Sequence, residues 1–147
     1  GVMLNNMMGE DDLHPDGFHS IPSGLRVGSM MSPTIIMKGD KITAVLGSGG
    51  SKRIRTAILQ VIHNLLDRCM PVGEAVEAPR IHLDDDGVIQ MEPGFSEEVS
   101  VSLAKRYPVN LWEGKDLYFG GVHTVTGELQ GCGDSRRGGS FMRVEEK

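Results

Sequence analysis

The sequence predicts an α+β layered fold. Three observations carry this: two β-rich runs joined by a Gly-Asp pair, a helix with a 3.6-residue apolar stripe, and a late return to β patterning around a second turn. Strands and helices do not alternate as they would in a wound parallel sheet. At 147 residues the chain is long enough for one domain with its own core.

Taken in order, residues 2–4 form a short apolar run, predicted as a strand. Residues 7–25 are polar and rich in Gly, Pro, Asp and His, and predict a long loop, a kind that is usually functional or mobile. Residues 34–38 and 41–46 predict a hairpin, and Gly39-Asp40 suits a type II′ turn. The second strand runs into Gly47-Ser48-Gly49-Gly50-Ser51. Apolar residues then fall at 54, 57, 58, 61, 62, 65 and 66, the stripe of an amphipathic helix. Ser51 is its expected N-cap, and Pro71 bars its continuation. Residues 73–78 predict a short helix stopped by Pro79, and residues 88–91 a strand after the Asp84–Gly87 turn. Ser96 is placed to cap a third helix, with Glu97 and Glu98 in the first turn, where carboxylates suit the dipole. Val99, Leu103 and Tyr107 give that helix one apolar side, and Pro108 ends it. Residues 118–125, 129–132 and 140–144 predict the remaining strands.

Composition excludes several functions. A net charge of -5 argues against a broad nucleic-acid surface. No 18-residue stretch is uncharged and apolar, which rules out a membrane-spanning helix. Two cysteines, Cys69 and Cys132, make neither a disulfide framework nor a Cys-based zinc site. His14 and His19 are five apart, but Pro15 and Gly17 exclude a helical metal pair. The apolar start with no initiator Met reads as the C-terminal part of a longer protein.

The Gly-rich strand-to-helix junction is the best local signal for chemistry. Glycines there free backbone N–H groups to point outward, and a helix start adds positive potential, which together suit an anion or oxyanion. The junction fits neither the P-loop, since Lys52 follows Ser51, nor the dinucleotide fingerprint, which needs Gly at position 52. Glu10-Asp11-Asp12 reads as a solvated acidic run, or as a site for an ammonium group or a metal. Ser29 and Ser32 lack a Gly-x-Ser-x-Gly elbow. Asp134-Ser135-Arg136-Arg137 reads as a charged loop holding a short-range ion pair.

Together these segments resemble a known family. The runs are Leu4-Asn5-Asn6-x-Met8, Ser29-Met30-Met31-Ser32-Pro33-Thr34, Gly47-Ser48-Gly49-Gly50-Ser51-x-Arg53-Ile54, Leu59-Gln60, Glu74-Ala75-x-x-Ala78-Pro79-Arg80-x-His82, Glu92-x-Gly94-Phe95-Ser96 and Gly133-Asp134-x-Arg136. In that order they resemble the small subunit of γ-glutamyltransferases (γ-glutamyltranspeptidases, glutathione hydrolases). The resemblance implies the αββα sandwich of the N-terminal nucleophile hydrolases, here in part. It also implies a precursor that cleaves itself, a large subunit as partner, and no cofactor or metal. The new N-terminal Thr attacks a γ-glutamyl amide, and its own amine serves as base. The acyl group then passes to water, an amino acid or a peptide.

Carried onto this sequence, the resemblance assigns Glu10, where the family has Asp, to the substrate α-ammonium, with Asp11 as the alternative. Ser29 matches the first of a Ser pair that meets the α-carboxylate; Met30 stands in place of the second. Gly50, with Gly49 or Ser51, matches the pair whose N–H groups form the oxyanion hole. Residues 1–147 would be the later part of the small-subunit domain, with the nucleophilic Thr upstream of Gly1, so the chain alone is expected to be inactive. Cephalosporin acylases and poly-γ-glutamate depolymerases of the same superfamily are the neighbouring alternatives. A binding relic without catalysis is the non-enzymatic one.

Overall fold

A computed structural model describes residues 1–4, 6–14 and 16–144, without the side chain of Asp11. Asn5 of the N-terminal motif and the Asp11 side chain therefore lie outside the described residues.

The hairpin forms as the alternation predicts. Strands β1 (Thr34–Lys38) and β2 (Lys41–Gly47) pair antiparallel, with Lys38 opposite Lys41 and an irregularity between Ile36 and Met37. Gly39 takes φ +60° and Asp40 does not take a positive φ, the combination of a type II′ turn. Period 2 then sorts the side chains: Ala44 and Leu46 face inward and are buried, while Val45 faces out.

Helix α1 (Arg53–Leu66) lays Ile54, Ala57, Ile58 and Val61 on this sheet. Helix α2 (Val72–Glu77) adds Val72 and Val76 to the same core. Each Val or Ile side chain buried in this way contributes roughly 1.5–3 kcal/mol. Strands β3 (Ile81–Leu83), β4 (Ile89–Met91) and β5 (Val109–Leu111) make a separate small sheet in that order. β3 and β4 are antiparallel, but β4 and β5 are parallel, joined across helix α3 (Glu97–Ala104). Strands β6 (His123–Thr126) and β7 (Gly131–Cys132) complete the main sheet, whose order is β1-β2-β6-β7.

Among the described residues, helices cover only one face of the main sheet. On the other, the register sets Ile35 beside Val45 and Val45 beside Val125. These three apolar side chains are 62%, 43% and 40% exposed. The chain thus holds a helix layer and a sheet layer, with a second apolar sheet face left bare.

Several expectations are corrected. Residues 2–4 form no strand and are 88–95% exposed, because no neighbouring strand takes up their hydrogen bonds. Residues 118–125 are not one strand. Asp116 accepts from the Tyr118 N–H at 2.8 Å and opens a 3₁₀ turn over Leu117–Phe119; Gly120, at φ +81°, then breaks the run before β6. Residues 140–144 are not a strand either; the Phe141 ring lies instead where a side chain on Gly131 would stand. β3 and β5 were not expected, nor was the β4–α3–β5 crossover.

Candidate active site

The junction between β2 and α1 has the backbone that its glycines predict. Gly50 takes φ +124° and Ser51 φ +55°, so two successive residues lie in the left-handed region. Gly50 needs to be glycine twice over: its φ is rare for an L residue, and a Cβ there would stand 3.2 Å from Gly120 Cα. Ser51 has no such freedom and holds a strained conformation. The Gly50 and Ser51 carbonyls accept from the Arg53 and Ile54 N–H groups at 3.1 and 3.0 Å, starting the helix. The N–H groups of Gly50 and Ser51 find no acceptor among the described residues. Two free N–H groups at the start of a 14-residue helix are a ready anion site.

Ser51 is not the N-cap. Lys52 holds that position, and the Ser51 hydroxyl donates instead to Asp12 Oδ2. Asp12 Oδ1 lies 3.2 Å from Lys52 Nζ, and Lys52 also pairs with Asp85. Hydrogen bonds to Asp85 and then Asp12 raise the Lys52 ammonium pKa above its ordinary value. The acidic loop is thereby fastened to the junction.

Beside this clasp lies a cleft of about 360 Å³, lined by Asp12, Ser29, Met30, Ser32, Lys52 and Arg55 among others. The Ser29 oxygen accepts from the Met31 N–H at 3.2 Å, which leaves its proton free to be donated into the cleft. Met30 is half-buried, packing against the core while also lining the cleft. Glu10 is half-buried at the end of a 3₁₀ turn, its N–H donating to Met7 O at 3.3 Å, and does not line the cleft. The structure therefore brings Ser29, Met30 and Asp12 together beside Ser51. Asp12 and Lys52 carry contacts that sequence reasoning did not assign; the acidic run signalled only that some carboxylate there had work to do. Among the described residues no group of three or more His, Cys, Asp or Glu could hold a metal ion.

Behind the junction sits a buried ionic network, where the sequence suggested a charged loop. Arg80, Glu92, Asp134 and Arg136 are all buried, and their charges cancel. Arg136 grips Glu92 through Nε and Nη2 at 2.7 and 2.6 Å, and Asp134 Oδ1 through Nη1 at 3.2 Å. Arg80 Nη2 reaches Asp134 Oδ2 at 2.6 Å. Burial would raise the Asp134 carboxyl pKa, but Arg80 and the Val122 and Arg136 N–H groups hold it below the usual carboxylate value. Arg136 also donates to Val76 O and Ala78 O, and Arg80 to Phe119 O, while the Val122 N–H donates to Asp134. The network thus ties the end of α2 to residues 119–122, the segment on which Gly50 rests.

Comparison with known proteins gives the family. The Gamma-glutamyltranspeptidase family profile matches residues 1–144. The Acylase ACY 1 proenzyme of Pseudomonas sp. (strain SE83) is 40% identical over 106 residues, covering 72% of this chain and 19% of that protein. The glutathione hydrolase proenzyme of Escherichia coli (strain K12) is 34% identical over 150 residues, covering 92% of this chain and 26% of that protein. A solved γ-glutamyltranspeptidase from Pseudomonas nitroreducens, complexed with L-DON, superposes with a TM-score of 0.72 at 28% identity, over 85% of this chain and 67% of that one. The chain thus spans about a fifth to a quarter of the length of these two relatives. The α+β fold is that of the N-terminal nucleophile hydrolases. A helix-opening turn with free N–H groups, a Ser-lined cleft beside it and a family profile covering nearly every residue lead to one assignment: the chain belongs to the γ-glutamyltranspeptidase family.

Proposed function

We propose that this chain is the substrate-binding and oxyanion-stabilising portion of an enzyme that cleaves γ-glutamyl amides and passes the acyl group to water, an amino acid or a peptide. The supporting observation is the junction itself: two consecutive left-handed residues with unspent N–H groups, beside the cleft that holds Ser29. Gly50 and Ser51 receive the amide oxygen as it becomes negative, Ser29 donates to the α-carboxylate, and Glu10 or its acidic neighbours meet the α-ammonium. The attacking Thr and a large subunit come from the rest of a precursor, and the 147-residue chain alone has no turnover.

A second reading is supported by Met30 and by the acylase relative at 40% identity. A thioether cannot donate to a carboxylate, so on this reading the preferred donor is an acyl group that lacks the α-carboxylate. One experiment separates the readings. The whole precursor is assayed with γ-glutamyl, glutaryl (no α-amine) and 4-aminobutyryl (no α-carboxylate) anilides. The first reading expects γ-glutamyl to be cleaved best; a preference for 4-aminobutyryl establishes the second, and a preference for glutaryl overturns both. Turnover by the isolated chain would refute the division of labour proposed here.

A further inference from the structure

We propose that Arg137 is a positioning residue for the oxyanion turn, holding Gly49 and Gly50 in place and biasing them with its positive charge. The proposal rests on the reading of that turn given above.

The geometry is specific. A Cβ on Gly49 would stand 3.6 Å from Arg137 Cζ, and one on Gly50 3.3 Å from Arg137 Nη2. A Cβ on Gly121 would stand 2.7 Å from Arg137 Cγ and Cδ. The stem therefore crosses Gly121, and the guanidinium ends against Gly49 and Gly50. A side chain at Gly121 would displace the stem, one at Gly50 would crowd the guanidinium, and one at Gly49 would only touch it. The guanidinium is not spent on the turn's own carbonyls. Gly49 O accepts from the Ser48 hydroxyl at 3.0 Å and Gly50 O from the Arg53 N–H at 3.1 Å. Among the described residues its single hydrogen bond is to Leu117 O, at 3.3 Å. Its neighbour Arg136, by contrast, is buried and paired with two carboxylates. One arginine serves the core; the next leaves its charge beside the turn.

A fixed cation there acts when charge develops. As the nucleophile's oxygen bonds to the acyl carbon, the carbonyl π pair moves onto oxygen. Collapse of the intermediate breaks the C–N bond, and the amine leaves with the proton the nucleophile gave up. Arg137 stabilises the intermediate and not the neutral amide, so its loss falls on kcat.

The test is kinetic, in the whole precursor, using whichever anilide the wild type cleaves. Arg137→Gln is expected to lower kcat about tenfold to a hundredfold with KM changed less than about twofold. Arg137→Lys, which keeps the charge, should recover most of that loss. Gly121→Ala, which displaces the stem, should lower kcat in the wild type and change little in the Arg137→Gln background. The proposal is overturned if Arg137→Gln leaves kcat unchanged, if the loss falls on KM, or if Lys does no better than Gln. A wild type that cleaves no anilide overturns the functional reading itself, and this proposal with it.

Discussion

Two ionic clusters support the same turn, one touching it through Ser51 and the other reaching it through residues 119–122, and they are built in opposite ways. Behind it, Arg80, Glu92, Asp134 and Arg136 are sealed from water, and every carboxylate oxygen there has a donor. In front of it, Asp12, Lys52 and Asp85 stand at the surface, with side chains 20%, 38% and 73% exposed. The charges are of the same kinds; the dielectric around them differs. A sealed pair that loses one partner leaves a charge stranded in low dielectric. An exposed pair that loses one exchanges it for water. The rear cluster is therefore a fixed support, and the front one can give up its contacts to a charged substrate.

The largest test removes one sealed partner. Arg136→Met leaves Glu92 and Asp134 short of their shared cation and should cost about 3–5 kcal/mol in urea unfolding. A loss below about 1 kcal/mol would show that water reaches the cluster and would dissolve the contrast. Glu77 offers an intermediate case. Its carboxylate accepts from Lys115, at 2.5 Å, and from Ser135 N and Oγ, at 2.9 and 2.7 Å. Burial opposes ionisation there, but Lys115 and Ser135 outweigh it and lower the pKa from 4.5 to about 2. Because the folded value is depressed, the stabilisation is present above about pH 4.5 and is lost as pH falls toward 2. At about 1.4 kcal/mol per unit this comes to no more than ~3.5 kcal/mol, less for its partial exposure. Glu77→Gln should flatten the pH dependence of stability over that window, measured by unfolding midpoints at pH 2.5 to 6.

On the front side the effects move from stability to selectivity. Met30→Ser supplies a donor worth about 1.5–3 kcal/mol to a charged acceptor. It should raise kcat/KM for the γ-glutamyl anilide over the 4-aminobutyryl one by up to roughly 150-fold. An unchanged ratio would mean that Met30 only packs. Smallest of all, Lys52→Met should cost under about 1 kcal/mol of stability. Comparing Glu10→Ala with Asp12→Ala in kcat/KM then decides which carboxylate meets the ammonium; the proposed assignment requires the larger loss, about 2–5 kcal/mol, at Glu10.

How much of this was legible beforehand follows from range. The hairpin and α1 could be read because period 2 and period 3.6 are local, and the Gly-rich junction because left-handed backbone asks for glycine. β3 and β5 were not, since three-residue strands carry no period and owe their existence to partners elsewhere. Gln60 illustrates this: its side chain meets both the N–H and the C=O of Ile81, so a motif residue on a helix edges a strand 21 positions away. Asp134 and Arg136 read as a surface loop because their partners, Arg80 and Glu92, are more than 40 residues distant. Asp12 was hidden among three carboxylates that composition cannot rank.

The bare row of Ile35, Val45 and Val125 bears on how such a protein must be made. A cover carried on the same polypeptide meets that face at an effective concentration near millimolar, with no encounter to wait for. Two pieces synthesised apart meet at whatever dilution the cell imposes, while the open face recruits other open faces first. In the proposed precursor, synthesis as one chain turns that search into a hinge.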